Sequence, residues 1–581
     1  MDKKKKILIS AAIFALSLLS SSVGIKWGTP SRARTELVFK NNANLRDIMP
    51  ALKESRNEVY SSYGAQRGSE LLKLYLPSDG FMEVIWDGKK IKTEKEKLHA
   101  MRSVLLQNRF PDEQKTLYAL SRIKPGEFKF DPGIYQYGGL YFYFCGIALK
   151  ICSIAGFCRL SSDSGFYMAN PQEASMLYTA VKMTGAVAGA LFSSLLFLLG
   201  LEFFSFRAGL FAALFSCFLP SISFEAHSFK PFSFFLPFWL ASAYFALKSF
   251  KESSRFSLFY FLSGVFSGLC AGSMLFGVFS SFSFLAAWLM RPVESGKIRF
   301  SVFFYAPAGF LLAFFCVNPY YIISFRDAFN ELTHVGGVHG FHASLKHMLH
   351  YSFFEAHKIL SWPVLLLGLF GFLCGAILKD RRILILAAPL PFFYFYTANA
   401  HWDFPHYSMP LVAIFLPLAS IAAVKLSERF RIFYLVIFVS LVWNIGNLFY
   451  YKKVFADNEK NLLKAGEWIS KNIPKGSSIG TSVYPYFGFK SYPPFPIMDY
   501  SLKPKADASY YIINDINHVY RSMNLSYRDT RAEDKDMVSK YDLMAVFKRE
   551  KTWLDRLYSN YLYALFEQEI RVYRKKKLSL P

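Results

Sequence analysis

Pro111-Asp112-Glu113 sets two adjacent carboxylates behind a proline, and Phe130-Asp131-Pro132-Gly133-Ile134-Tyr135-Gln136-Tyr137-Gly138-Gly139-Leu140 follows in the same polar segment. A carboxylate can take a proton from a reacting group when it lies within hydrogen-bond reach of it. Side chains at successive helix positions point about 100° apart, so Asp112 and Glu113 cannot do the same job. The ordinary reading of the same residues is the solvated first turn of a helix, where proline and acids suit the positive N-terminal end. The setting favours chemistry: the pair lies between one apolar helix and a long apolar remainder, which points to an active site held against a membrane surface.

That remainder is what must position the pair. Of 581 residues, 53% are hydrophobic and 62 are Phe, more aromatic surface than a soluble protein of this length needs. Apolar runs long enough to cross the hydrocarbon core recur between residues 7 and 450. Alternating short strands, the mark of a membrane barrel, are not seen there. The net charge of +25 does not imply nucleic-acid binding, since no zinc-finger spacing, arginine-rich arm or RNA-binding aromatic motif is present. All 7 Cys lie in or beside apolar runs, which argues against a disulfide framework and against a CxxC metal site.

Lys3 to Lys6 precede an apolar run from Ile7 to about Gly24 without a small-residue cleavage site, so residues 1–24 are expected to be an uncleaved anchor. Residues 25–176 form an extracytoplasmic loop with interfacial helices, the acidic motif, and a hairpin around Gly80 to Gly88. Residues 177–450 form the multi-span domain. Four basic loops orient it: Lys248 to Arg255, Arg291 to Arg299, Lys379 to Arg382 and Lys425 to Arg431 are expected in the cytoplasm. Parity then requires the run 140–157 to lie along the interface or re-enter. The expected fold is an α-helical polytopic membrane protein with about eleven spans, the division of 256–290 into two being one of its assumptions. Residues 451–581 form a small extracytoplasmic α/β domain, with strands near 479, 509–514 and 544–547 and no nucleotide loop.

The chain resembles the GT-C integral-membrane glycosyltransferases, in particular glycosyltransferase family 39, the protein O-mannosyltransferase and aminoarabinose-transferase branch. The resemblance runs over most of residues 1–450. Its carriers, in order, are the basic start and first span, Pro111-Asp112-Glu113, Pro132 with Tyr137, Pro220 with Glu225-Ala226-His227-Ser228-Phe229-Lys230-Pro231, Asn318-Pro319-Tyr320, and His406-Tyr407-Ser408-Met409-Pro410. It implies a sugar on a polyprenyl phosphate, transferred with inversion to a protein, lipid or glycan acceptor on the outer face. It also implies that Asp112 and Glu113 inherit the acidic role, Asp112 as base and Glu113 as its orienter. The chain departs from the family where His406 replaces an arginine and where Asp131 precedes Pro132; a neutral His is a weaker anion ligand than Arg.

Other residues join the candidate set. His227 and Lys230 stand at an outer span end, as phosphate ligands or as an interfacial donor and a snorkelling lysine. His406, Tyr407 and Tyr137 belong to the substrate-binding motifs. Glu36, just past the first span, is a second acid or a surface charge. Six histidines between His334 and His357 are too irregularly spaced for a built zinc site, and no cofactor is expected; a divalent cation is not indicated. The expected partners are the polyprenyl-phosphate sugar, the bilayer and the acceptor, in what is expected to be a bacterial cytoplasmic membrane. The rival is a secondary transporter or flippase of envelope precursors. Transporters carry ionisable groups inside their spans, whereas here the expected spans are nearly free of Asp and Glu and the polar groups gather at their outer ends.

Overall fold

The computed structural model describes residues 2–63, 80–108, 112–291, 300–339, 344–399, 405–481, 493–503, 508–514, 539–558 and 569–576. Pro111, His342 and the 400–404 part of the late loop lie outside them, as do the side chains of Asp112 and His339.

The chain opens with the apolar helix α1 (Lys3–Ser22), capped by the Asp2 carboxylate on the Lys4 amide at 3.0 Å. The outer segment holds α2 (Arg32–Phe39), α3 (Asn42–Tyr63), the antiparallel hairpin β1 (Phe81–Trp86) and β2 (Lys89–Glu94), α4 (Lys95–Leu106) and α5 (Asp112–Arg122). The hairpin turns at Asp87-Gly88, both at positive φ, a turn for which Asp-Gly is suited. Then come α6 (Gly139–Ile154), α7 (Ser164–Ala169), α8 (Pro171–Phe203), α9 (Phe206–Phe218), α10 (Pro220–Ala226), α11 (Leu236–Lys251) and α12 (Phe256–Ser273). Prolines open α8 and α10 in the first turn, where a missing N–H costs nothing.

The second half holds α13 (Ser281–Leu289), α14 (Tyr305–Val317), α15 (Tyr320–Ile323), α16 (Phe325–His339), α17 (Leu345–His350), α18 (Ala356–Leu360), α19 (Trp362–Ile377), α20 (Arg381–Ala387), α21 (Leu390–Asn399), α22 (Pro410–Arg429) and α23 (Ile432–Asn472). Among the described residues, five helices are long and apolar enough to cross a bilayer, or six if the pair α9 and α10, bent by 53°, is one span. The chain is thus a multi-pass membrane protein. Shorter apolar helices at 139–154, 275–289, 302–317 and 362–377 accompany them. The long run 256–290 breaks at Met274, where an extended residue separates α12 from a 3-10 turn that leads into α13. Tight helix contacts follow small residues: Gly264 and Gly268 bring α12 against the backbone of α14, where a Cβ would meet the Ala306 and Phe310 carbonyls.

The C-terminal segment adds β3 (Ser478–Thr481), β4 (Ser501–Lys503), β5 (Tyr510–Asn514), β6 (Tyr541–Phe547), α24 (Trp553–Tyr558) and β7 (Ile570–Lys575). The strands form one mixed sheet in the order β4-β3-β5-β7-β6, with β3 parallel to both neighbours. The sheet shares an apolar core with the outer segment, in which Phe39, Met101 and Val104 meet Leu462, Ile479, Ile512 and Val572. Charged groups rim that core. Arg34 grips Glu459 through Nε at 2.6 Å and Nη2 at 2.8 Å, and Lys40 reaches Asp499 at 2.6 Å and Asp87 at 2.9 Å. The apolar faces of two sequence-distant segments thus cover each other above the helices.

Candidate active site

Glu113 is fully buried at the start of α5. Its Oε1 accepts the Phe229 amide at 2.9 Å, and its Oε2 accepts from the Asn108 side-chain amide. One turn on, Thr116 donates to the Phe229 carbonyl at 3.4 Å. These bonds dock the N-terminal turn of α5 on the loop between α10 and α11. Burial pushes the Glu113 carboxyl above the usual range, against the pull of Lys182, the Phe229 amide, Lys230 and Asn108. Asp112 occupies the preceding position of α5.

The loop that receives α5 carries the next motif. Glu225, His227 and Lys230 are all buried. Ser228 donates to the Glu225 carbonyl at 2.9 Å and to its Oε2 at 3.3 Å. Lys230 stands near enough to Glu113 and Glu225 to attract both. The His227 ring bridges elements: Nε2 lies 2.8 Å from the Ser21 carbonyl and Nδ1 2.7 Å from the Tyr451 hydroxyl. A carbonyl only accepts, so the ring fits the tautomer with its proton on Nε2, and Tyr451 donates to Nδ1. Lys452 Nζ sits 3.2 Å from the same Nε2 and donates to the Val23 carbonyl at 2.6 Å. His227 is in this way a joint between α1, α10 and α23.

His406 and Tyr407 reach the same loop through Phe232, whose ring centroid lies 4.3 Å from His406 and 5.4 Å from Tyr407. Tyr137 is buried beside Tyr141, whose hydroxyl is close enough to Glu113 to feel its charge. The structure therefore gathers Glu113, His227, Lys230, His406, Tyr407 and Tyr137 around one loop. Glu36 is not among them: it is exposed on α2 and pairs with Arg32 at 2.6 Å. Of the histidines in the 334–357 stretch, His334 is exposed and His357 stacks on Trp362 at 4.6 Å. Among the described residues no three His, Cys, Asp or Glu side chains are grouped to hold a metal ion.

The segment 131–139 is strapped down at four points. Gly138 donates to the Ser273 carbonyl at 3.1 Å, and Gly139 to Asn318 Oδ1 at 2.6 Å. Tyr321 donates to the Tyr135 carbonyl. Glu331 of α16 accepts the amides of Tyr135 at 2.9 Å and Gln136 at 3.2 Å. The break after Ser273 is what frees that carbonyl for the strap.

Sequence reading did not single out Asn108, Lys182 or Glu331. Lys182 had a signal, a lysine inside an apolar run; it is buried and donates to the Trp27 carbonyl at 3.1 Å. Glu331 had none, since its partners are backbone amides far away in sequence.

Burial pushes the Glu331 carboxyl up to about 7, against the two amide donors. An acid whose folded pKa is raised stabilises the fold below its unfolded value of 4.5, and that contribution is lost as pH rises towards 7. Glu331→Gln removes the titration. Its melting temperature is expected to change less between pH 5 and 7.5 than that of the wild type, whose additional fall lies in that window; parallel curves would exclude Glu331 as the group.

Beside α5 lies a cavity of about 1320 Å³ between α3, α4, α6, α7 and α8. Gln114, Leu117, Tyr118 and Ser121 line it from α5, and Tyr178 closes it beside Glu113.

No protein-family model matches the chain. No curated protein matches it in sequence. Among solved structures, ArnT from Cupriavidus metallidurans bound to undecaprenyl phosphate aligns at 10% identity and a TM-score of 0.43, covering 82% of this chain and 96% of that one. The same protein in the apo state aligns at 10% identity and a TM-score of 0.42, covering 81% and 95%.

Proposed function

We propose that the protein is a membrane glycosyltransferase that moves a sugar from a polyprenyl-phosphate donor to an acceptor hydroxyl on the extracytoplasmic side. The observation that carries this reading is the convergence of an acidic helix start, two buried lysines and the His406-Tyr407 turn on the single loop 225–232. In this reading the acceptor oxygen attacks the anomeric carbon and the carbon–oxygen bond to the phosphate breaks. The leaving electron pair stays on the phosphate, and Asp112 takes the acceptor proton. Glu113, with both oxygens already engaged, orients the helix start. Lys230 and His406 stand where charge develops on the leaving phosphate. The basic loops are assigned to the cytoplasm, which puts α5, the loop and the C-terminal sheet on the outer side.

The test is transfer of label from radiolabelled polyprenyl-phosphate sugars into a lipid or protein extract. Lys230→Ala and His406→Ala are each expected to lower turnover or donor affinity by roughly a hundredfold, the scale of one lost charge-stabilising donor. Lys379→Ala, in a basic loop on the assigned cytoplasmic side, is expected to leave transfer unchanged. Equal behaviour of all three would remove the phosphate assignment. One observation favours a transporter instead, the lysine buried within α8; a transporter would move the labelled lipid without breaking its sugar–phosphate bond.

A further inference from the structure

Helix α23 marks where the bilayer lies, and α24 hangs down beside it. From Ile432 to Tyr451 α23 carries no charged residue, a length of about 30 Å that matches the hydrocarbon core. Its outward side chains stay exposed along that run, Val442 at 50% and Phe449 at 70%. The first charge beyond is Lys452. After β6 the chain descends along this rod. Phe547 packs on Trp468 at 6.1 Å, whereas Tyr558 packs on Tyr450 at 5.7 Å and on Trp443 at 5.0 Å. The Tyr558 hydroxyl fills the space that a Cβ at Gly446 would need. Gly446 and Trp443 precede Lys452 by about 9–14 Å of helix, so the end of α24 stands at a depth that the lipid occupies.

A buried clamp holds α24 there. Arg549 is bonded to both carboxylate oxygens of Asp555, with Nη1 3.2 Å from Oδ2. Tyr450 of α23 donates to Asp555 Oδ1 at 2.6 Å and accepts from Arg549 Nη2 at 3.2 Å. Both members of the pair are buried. With that pair closed, Lys548, Lys551 and Arg556 are exposed and face only Glu550 among the acids of the segment. Trp553 is 70% exposed and Leu557 45%. Positions 553, 556 and 557 share one helix face, so an indole, a guanidinium and a leucine project together. An indole suits the headgroup level of a membrane. Lysine and arginine stems can lie along apolar surface while their charged ends reach phosphate.

We propose that α24 is a membrane-surface anchor: Trp553 and Leu557 enter the leaflet beside α23, and Lys551 and Arg556 bind the phosphates of anionic phospholipids there. The occupant is lipid because the face continues the lipid-facing side of α23 at the same depth, and anionic lipid because the free charge is positive. The anchor ties the foot of the C-terminal sheet to the leaflet as well as to α23. It rests neither on the glycosyl-transfer reading nor on the side of the membrane that the sheet occupies.

The experiment reads tryptophan emission from the full-length protein reconstituted in phosphatidylcholine vesicles that contain phosphatidylglycerol. Subtracting the emission of Trp553→Phe from that of the wild type isolates Trp553 from the other tryptophans. Trp468→Phe isolates in the same way a half-buried indole higher on α23. Phosphatidylcholine brominated near its ester carbonyls is expected to quench most of the Trp553 emission and to spare Trp468, while aqueous acrylamide quenches Trp553 little. Brominated phosphatidylglycerol at equal mole fraction should quench Trp553 more strongly than the brominated phosphatidylcholine. Lys551→Gln and Arg556→Gln should each lower that preference by up to roughly fivefold, the scale of one basic residue at an anionic surface. Neither change should alter the melting temperature, since both side chains are exposed. Quenching of Trp553 by acrylamide and not by brominated lipid would put the face in water and overturn the proposal. Shielding from both would mean that a protein covers the face, with the same consequence. Equal quenching by the two brominated lipids would overturn it as well, because no anionic lipid would then be selected.

Discussion

Asp112→Asn is expected to leave the protein folded and to lower sugar transfer by roughly two to four orders of magnitude, the usual contribution of a positioned base. Asparagine keeps the size and the hydrogen-bonding shape but cannot take the acceptor proton. Loss of a negative charge at the N-terminus of α5 should cost about 0.3–1 kcal/mol of stability, too little to unfold the protein. Donor affinity should survive because the acid acts on the acceptor, so the loss should fall on kcat. Glu113→Gln is expected to show the opposite balance. Both Glu113 oxygens accept, from Phe229 and Asn108. A glutamine must turn its NH2 towards one of those donors, at a cost of about 1–3 kcal/mol, with a milder effect on turnover. Single-turnover rates and thermal melts on the two variants separate the roles. Wild-type transfer in Asp112→Asn would remove it as the base.

Gly138→Val is expected to destabilise the protein by at least about 1–3 kcal/mol, the range for forcing atoms into a filled space, and to abolish transfer with it. Gly138 has φ −74°, which any residue can adopt, so the demand is spatial. A Cβ there would run into the Gly272 carbonyl oxygen, and both groups are backbone. The neighbouring Gly139 faces the Val317 carbonyl in the same way. Relief would require the strap to lift away from α12, breaking the bonds to Ser273 and Asn318. Lifting it would also shift Tyr137 and Tyr141 from beside Glu113. Gly126→Val, at a turn where a Cβ meets nothing within 4 Å, is the control. Equal melting temperatures for the two variants would refute the spatial argument.

Local pattern carried much of the organisation to the reader of the sequence. The apolar runs mark the long helices, and β5 and β6 cover the apolar stretches at 510–514 and 544–547, whereas of the two strands expected around Gly80 to Gly88 only β1 falls there and β2 follows at Lys89–Glu94. Periodicity announces a face but not its partner, and that is where legibility ended. Nothing near Glu331 says that it will hold the amides of Tyr135 and Gln136. Nothing near Arg102 says that it will donate to Ser55 of α3. The shared core of the outer segment and the C-terminal sheet was hidden for the same reason, since Met101 and Ile512 are separated by the whole membrane domain. The motif 225–231 was visible as a cluster of polar residues, whereas the bond from the Phe229 amide to Glu113 is long-range and could not be.

Helix α23 runs unbroken for 41 residues, about 60 Å at 1.5 Å per residue. Its first half is apolar and its second half lies in the core shared with the C-terminal sheet, where Leu462, Ala465 and Ile469 are buried. Near its midpoint Tyr450 donates to Asp555 at 2.6 Å, and Trp443 packs on Tyr558 at 5.0 Å. A rod of this kind does not shorten. A bilayer thinner than its apolar half favours tilt, and a tilt at the lipid end becomes a sideways swing at the sheet. The sheet is bonded through Asp499 to Lys40 and Trp86 of the outer segment, and α4, part of that shared core, runs down to Asn108 beside Glu113. On the glycosyl-transfer reading, turnover is expected to fall as acyl-chain length is shortened in reconstituted vesicles.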